Sequence, residues 1–318
     1  MDPIGLDQSH DLIGMLNCPG HITDECTWRG KHMGVVGALI VIVCVFGGFV
    51  LAGGHLHIIW QPLELMIIGG AALGGFIIST PIAAIKLALK MVMHAMIGKG
   101  PGKKEYIELL QMMFQLFQIF RKDGPQAVEK HIEEPESSEI FKNYPSFLKN
   151  HHAVDFLCDT MKITLSADLS QYDVDDLLDT DLKVTHEFEH KAIHAIQSTG
   201  DALPGLGIVA AVLGIVHTMS YLTAGVEKIG ELVAIALVGT FLGVLMCYGF
   251  VAPIAGKMKN DMEEEGRYLS VIKAAMVSLQ RGAPPLVCVE FARRSIYPSD
   301  RPTFEEMDAA TKEGKKAA

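Results

Sequence analysis

Residues 200–219 read GDALPGLGIVAAVLGIVHTM. The run is long and apolar enough to cross a bilayer. Yet it sets Pro204 near one end, spaces Gly205, Gly207 and Gly214 along its length, and carries no charge after Asp201. A proline inside a helix removes an N–H and opens a kink, and glycines let another backbone come close. The stretch therefore predicts a membrane helix that bends near one end and is closely approached. Three further charge-poor runs accompany 202–221, at 33–54, 63–85 and 232–256. Each has roughly the twenty residues that a hydrocarbon core of about 30 Å requires. The 318 residues have a mean hydropathy of +0.28, with 49% hydrophobic and 20% charged. The predicted fold is all-α: a polytopic membrane protein with four transmembrane helices and a helical cytoplasmic domain.

A net charge of −10 with no basic, aromatic-studded stripe argues against a nucleic-acid partner. The six cysteines do not form a disulfide framework: Cys44 and Cys247 fall inside spans, and the rest are scattered. Cys18 and Cys26 flank His21, but they lie too far apart for a usual zinc clip. No secretory signal is expected, because about thirty mostly polar residues precede the first span without a cleavage site.

Lys and Arg mark the inner side of a membrane protein. Arg29 and Lys31 precede the first span, Lys86, Lys90, Lys99, Lys103 and Lys104 follow the second, and Lys257 and Lys259 follow the fourth. The turn between spans one and two has no Lys or Arg, and that between three and four has only Lys228. Both termini are thus expected in the cytoplasm. The predicted layout is an N-terminal extension at 1–32, spans one and two within 33–85, and a cytoplasmic helical domain at 86–201. Spans three and four lie within 202–256, and a cytoplasmic helix and tail occupy 257–318. In the inner domain Tyr106, Leu109, Leu110, Met113, Phe114, Phe117 and Phe120 recur at helical spacing and predict a core-facing stripe. Gly124-Pro125 ends that helix. Residues after Gly282 are expected to be irregular with short helices, ending in a disordered Lys/Ala tail.

His186, Glu187 and His190 match H-E-x-x-H, the pattern of zinc proteases. With no third ligand at a characteristic spacing, His186, His190 and His194 fit a solvated helix face better. No metal site, cofactor or catalytic residue is therefore expected, and the protein is not read as an enzyme. Spans three and four hold no Asp, Glu, Lys or Arg beyond Asp201, whereas proton relays place carboxylates at depth. Glu64, near the outer end of span two, is expected to reach the interface. If ions cross here, another chain must bring the titrating carboxylate. Gly70 with Gly74 and Gly239 with Gly243 are G-x-x-x-G pairs, open either to packing within one subunit or to packing around a foreign helix. Pro204 and Pro253, near matching ends of spans three and four, suggest a hinge.

Several motifs, in order, resemble the MotA family of flagellar motor stator subunits, within the MotA/TolQ/ExbB proton channel group. They are Phe46-Gly47-Gly48, Gln61-Pro62-Leu63-Glu64-Leu65, Glu139-Ile140-Phe141 with Tyr144-Pro145, and 200–217. Val238-Gly239-Thr240-Phe241-Leu242-Gly243, Tyr248-Gly249-Phe250, and Ala283-Pro284-Pro285 with Val289-Glu290-Phe291 complete them. The likeness runs from about residue 33 to about residue 306. The residues before Met33 stand outside it, either as an extension or because Met33 is the true start.

The resemblance implies a homo-oligomer, a pentamer, around a dimeric MotB-like subunit that is anchored to peptidoglycan and carries the ion-binding aspartate. It implies location in the bacterial inner membrane and torque on the rotor switch protein FliG. By the same resemblance Arg121 and Glu129 are rotor-contacting. Pro204, Ala211, Gly239, Thr240 and Pro253 belong to the ion path and its conformational coupling. Sodium-driven relatives carry hydroxyls at the positions of Ala211 and Gly239, so their absence here favours protons. The alternative is an ExbB/TolQ-like proton-driven energiser of cell-envelope transport, a group with three spans in a different order.

Overall fold

The computed structural model describes residues 33–317 apart from Lys99, Asp168 and Ala224, and among them the side chains of 34–312. The 1–32 segment, with its Cys18–Cys26 pair, lies outside the described residues.

The described residues fold into helices joined by turns and short loops, with no strand among them. The first membrane hairpin comprises α1 (Met33–Leu51), the one-turn α2 (Leu56–Ile59) and α3 (Pro62–Ser79). The second span is shorter than the apolar run 63–85 implied. A residue before proline is pushed out of the helical region, and Thr80, before Pro81, is extended at φ −121°, ψ 127°. The chain restarts as α4 (Ile82–Ile97), whose buried Ala84, Ala88 and Ala95 form one small-residue face.

A polar body follows: α5 (Lys103–Lys122), α6 (Pro125–Glu133), α7 (Pro145–Leu148) and α8 (His151–Ser166). The chain then enters α9 (Gln171–Met219), a single helix of 49 residues, about 70 Å long at 1.5 Å per residue. Its start is fixed by a capping box. Ser170 Oγ accepts from the Asp173 N–H at 3.3 Å, and the Asp173 carboxylate accepts from the Ser170 N–H at 3.0 Å. The second hairpin closes with α10 (Val226–Met246), a π-turn over Cys247–Val251, and α11 (Ala252–Gln280). Four helical stretches are therefore long and apolar enough to span a membrane: Gly34–Leu51, Leu56–Ser79, the distal part of α9, and the α10 end of Val226–Gln280.

The stripe on α5 packs as its spacing predicts. Tyr106, Leu109, Leu110, Met113, Phe114 and Phe117 are buried, and Phe120 packs at the margin. Met112 and Leu116 are buried too, so α5 is enclosed on more than one side. Its neighbours come from both ends of the chain: Leu157 of α8, Val174 of α9, Ile272 of α11, and Val289 of α12 (Pro285–Arg294). Segments 86–201 and 257–318 thus share one apolar core. The end of the chain is more regular than expected. Helix α13 (Phe304–Ala317) is capped by Thr303 and Glu306, whose side chains accept from each other's backbone N–H at 3.2 and 2.7 Å, and anchored by buried Met307.

Phe117 is fully buried at the centre of this core. Phe117→Ala should destabilise the polar body by about 3–5 kcal/mol, the usual cost of emptying an aromatic core site. Thermal unfolding of the detergent-solubilised protein should show a lowered polar-body transition, with membrane insertion unchanged.

Candidate functional site

Helices α9 and α10 meet through glycine. A Cβ on Gly207 would stand 2.8 Å from the Gly239 carbonyl oxygen and 3.2 Å from Gly243 Cα. One on Gly243 would stand 2.5 Å from the Leu203 carbonyl oxygen, and one on Gly214 would stand 2.7 Å from Ala236 Cβ. Real side chains do not come so close, so the two backbones touch only because these positions carry none. Gly207, Gly214, Gly239 and Gly243 therefore serve packing inside the subunit. Gly205, by contrast, faces open space, as do Gly70 and Gly74. On the opposite side of α9, Ile208, Val209, Val212, Leu213 and Val216 are all exposed. The helix thus keeps its small side for its own subunit and turns a large apolar side outward.

Three of the expected ion-path residues come together at this contact. A Cβ on Gly239 would lie 3.3 Å from the Ala211 backbone nitrogen and 3.2 Å from Ala210 Cβ. Thr240 brings its Cα to 3.3 Å from the Cβ position of Gly207.

Glu64 departs from its expected interfacial place. It is 7% exposed, and its Oε2 is buried without a hydrogen-bond partner. The carboxyl points into the same contact, 2.6 Å (Oε2) from the Cβ position of Gly239 and 3.5 Å (Oε1) from that of Gly214. Sequence reasoning missed it because an acid in the first turn of a helix is ordinary. The available signal was the pair of glycines on other helices that makes room for it. An unpaired ionised carboxylate in such a place costs several kcal/mol, so the group needs a proton or a cation.

The two prolines mark a second meeting point. Pro204 lies inside α9 and leaves the Gly200 carbonyl without its helical donor. Pro253 sits in the first turn of α11, directly after the π-turn, whose wider bonding absorbs the missing N–H. Gly200 is buried and packs on Val251 of that turn, where an added Cβ would stand 2.8 Å from Cγ1. The helical irregularities of the third and fourth spans therefore face each other.

The remaining site residues lie in the polar body. Arg121 in the last turn of α5 and Glu129 on α6 are both exposed, either side of Gly124, whose φ of +84° makes the turn. Arg121 Nη2 donates to the Ala283 carbonyl at 3.1 Å, which steadies the guanidinium against the α11–α12 turn.

Where α4, α8, α9 and α11 converge, two cavities of ≈ 520 and ≈ 1040 Å³ share His152, Glu189 and Glu265 in their walls. His152 Nδ1 lies 3.8 Å from Glu265 Oε1. Polar contact with Glu265 raises the pKa of His152, and the same contact lowers that of Glu265. Burial, reinforced by the Glu265 charge, pushes Glu189 up to about 7. Within the H-E-x-x-H stretch, His186, Glu187 and His190 are exposed, and the perturbed group is Glu189. Among the described residues no cluster of three or more His, Cys, Asp or Glu is arranged to hold a metal ion.

A long helix pair packed through glycine and run on into a polar body defines a helical membrane subunit. Residues 35–124 match the Motility protein A N-terminal family, and residues 149–270 match the MotA/TolQ/ExbB proton channel family. The chain is 37% identical over 275 residues to Motility protein A of Salmonella typhimurium, covering 86% of this chain and 93% of that protein. It is 34% identical over 273 residues to the chemotaxis protein LafT of Vibrio parahaemolyticus, covering 86% and 96%. Its fold matches a chain of the Campylobacter jejuni MotAB structure with a TM-score of 0.71 at 20% identity, covering 85% of this chain and 98% of that one. A chain of the Bacillus subtilis flagellar MotAB stator complex gives 0.66 at 20% identity, covering 81% and 93%. The chain belongs to the MotA/TolQ/ExbB proton channel family, and within it to the motility protein A group.

Gly243→Val should part α9 from α10, since its branched side chain would enter the Leu203 carbonyl. The protein should be present at reduced level in membranes, and cysteine cross-linking between α9 and α10 should fall. The junction should also titrate. Glu189 loses stability as pH rises from about 4.5 through about 7, because its native pKa lies above its unfolded one. His152, also raised, contributes fully below about 6.5 and loses its share above that. Glu265, lowered, keeps its share until pH falls below about 4.5. The melting temperature of the solubilised protein should therefore drop between about pH 5 and pH 8. Glu189→Gln should flatten the part of that drop below neutrality.

Proposed function

We propose that this chain is the torque-generating stator subunit of a bacterial flagellar motor. It conducts protons together with a MotB-like, peptidoglycan-anchored partner and turns the rotor through FliG. The observation that carries the reading is the facing pair of irregularities, Pro204 of α9 and the π-turn before Pro253. They stand where the glycine-packed membrane helices run on into the polar body. A small rearrangement at the Ala211–Gly239–Thr240 contact is passed down two unbroken helical paths to a rigid body. Five copies around a dimeric partner would cover the exposed apolar side of α9, and the partner would supply the deep titrating carboxylate. The Lys and Arg pattern puts both termini and the polar body in the cytoplasm, with the short turns outside. There the exposed Arg121 and Glu129 are free to meet the rotor. Opposite exposed charges provide steering and register more than affinity. Protons rather than sodium follow from Ala211 and Gly239, which offer no side-chain oxygen.

Pro204→Leu and Pro253→Leu each restore an N–H and favour a straight helix. A stepping element needs two arrangements of similar energy, and straightening favours one. Both variants should assemble with the partner and reach the motor, yet give little torque in tethered cells at matched subunit levels. Wild-type torque from either would leave that proline a packing role only. Arg121→Glu or Glu129→Lys should lower swimming speed with insertion and partner binding intact, and charge reversal on FliG should recover part of it. Normal swimming by both would make them ordinary surface charges.

A further inference from the structure

Among the described residues, Glu64 is the charged side chain that the spans bury, and the α9–α10 contact is shaped around it. Its carboxyl occupies the space that the missing side chain of Gly239 leaves free and lies in van der Waals contact with the Cβ position of Gly214. The side chains that share those gaps are Ala236 and Ala210, which offer it no hydrogen bond. Thr218, one turn beyond Gly214, donates to the Gly214 carbonyl at 2.8 Å. An oxygen placed in this way, unpartnered and enclosed by helices, needs a proton or a cation. A metal cation needs a shell of several oxygens, and one carboxyl among alanines and glycines does not supply it. A proton needs one.

We propose that Glu64 is a proton-binding site of this subunit, held as the neutral acid and exchanging its proton with the ion path across Gly239. The proposal rests on the ion-conducting reading above. In the exchange, the acid gives its proton to a water in the path, leaving a carboxylate and hydronium, and the reverse step restores it. The same geometry ties residue 239 to residue 64. A Cβ at 239 would stand 2.6 Å from Glu64 Oε2, so a side chain added there must displace the Glu64 carboxyl as well as press on Ala210 Cβ at 3.2 Å. Glu64 thereby adds to the constraint that keeps position 239 small.

The test uses the purified complex of this chain with its membrane partner. Dicyclohexylcarbodiimide reacts with a neutral carboxyl in an apolar site. The acid O–H adds across one C=N bond, and the adduct rearranges to a stable N-acylurea with nothing leaving. Mass spectrometry should find this adduct on Glu64 at neutral pH, undiminished by excess sodium and absent from Glu64→Gln. No adduct on Glu64 when the partner's own carboxyl is labelled, or protection by sodium, would overturn the proton site. In vesicles Glu64→Gln should assemble normally and lose proton flux several-fold; unchanged flux would overturn exchange with the path. Gly239→Ser should assemble poorly, and Gly239→Ser combined with Glu64→Ala should recover. A double variant no better than the single would overturn the coupling of the two positions. Absence of flux from the wild-type complex would instead defeat the conducting reading, while the labelling still decides the site.

Discussion

The backbone contact between α9 and α10 is the constraint on which the rest of the molecule depends. Gly207 against Gly239 and Gly243, and Gly214 against Ala236, bring two helices closer than any side chain would allow. Lipid offers no hydrophobic drive to pair membrane helices, so such an approach is held by van der Waals packing alone. It therefore requires a smooth surface on both partners. The cost is that α9 and α10 have little left with which to bind anything polar. The function must bring its charge either from another chain or from behind, over the third helix of the contact. Glu64 on α3 takes the second route.

That contact also explains why the irregularities lie where they do. Above it the helices are locked by close packing, and below it α9 and α11 are built into a body with a large aromatic and methionine core. The residues between, around Gly200, Pro204, Cys247–Val251 and Pro253, carry the irregular helix bonding. A proline and a π-turn weaken helix bonding in that short zone. In the stator reading proposed above, two stiff units joined by a softened segment would rearrange by switching between packings, since packed interfaces are not continuously deformable.

The architecture was legible in the sequence because it rests on periodicity and length. Twenty-residue apolar runs gave the spans, and the α5 stripe gave the core. Gly124-Pro125 marked the turn between the exposed Arg121 and Glu129. Less legible was everything decided by partners distant in the chain. The run 63–85 looked continuous, and the break at Thr80-Pro81 shows only in the backbone. Close approach to the glycines of 200–219 was expected, but only the structure sorts Gly207 and Gly214 inward onto α10 and Gly205 outward. The segment after Gly282 was expected to be irregular with short helices, yet the Thr303–Glu306 capping pair and buried Met307 set a regular α13 there. Glu64 was misjudged for the same reason: burial is a property of three helices together.

The placement of charge then follows from packing rather than accompanying it. Along α9, every Asp, Glu, Lys and Arg lies at or before Asp201, and the last eighteen residues are apolar, small or polar, with His217 among them. The same helix that packs by glycine against α10 in the membrane must also be held firmly in the polar body. It meets both demands by changing surface chemistry partway along its length without changing backbone. Near the junction Glu189 is pushed up to about 7 by burial, beside the His152–Glu265 pair. Charge is thus tolerated on α9 only where water and counter-charges can reach it, and even there one carboxyl is held near neutrality of charge. Further along, where neither is at hand, the helix has given up ionisable side chains except His217. The acid that the site retains comes from α3, into a gap that only glycine leaves.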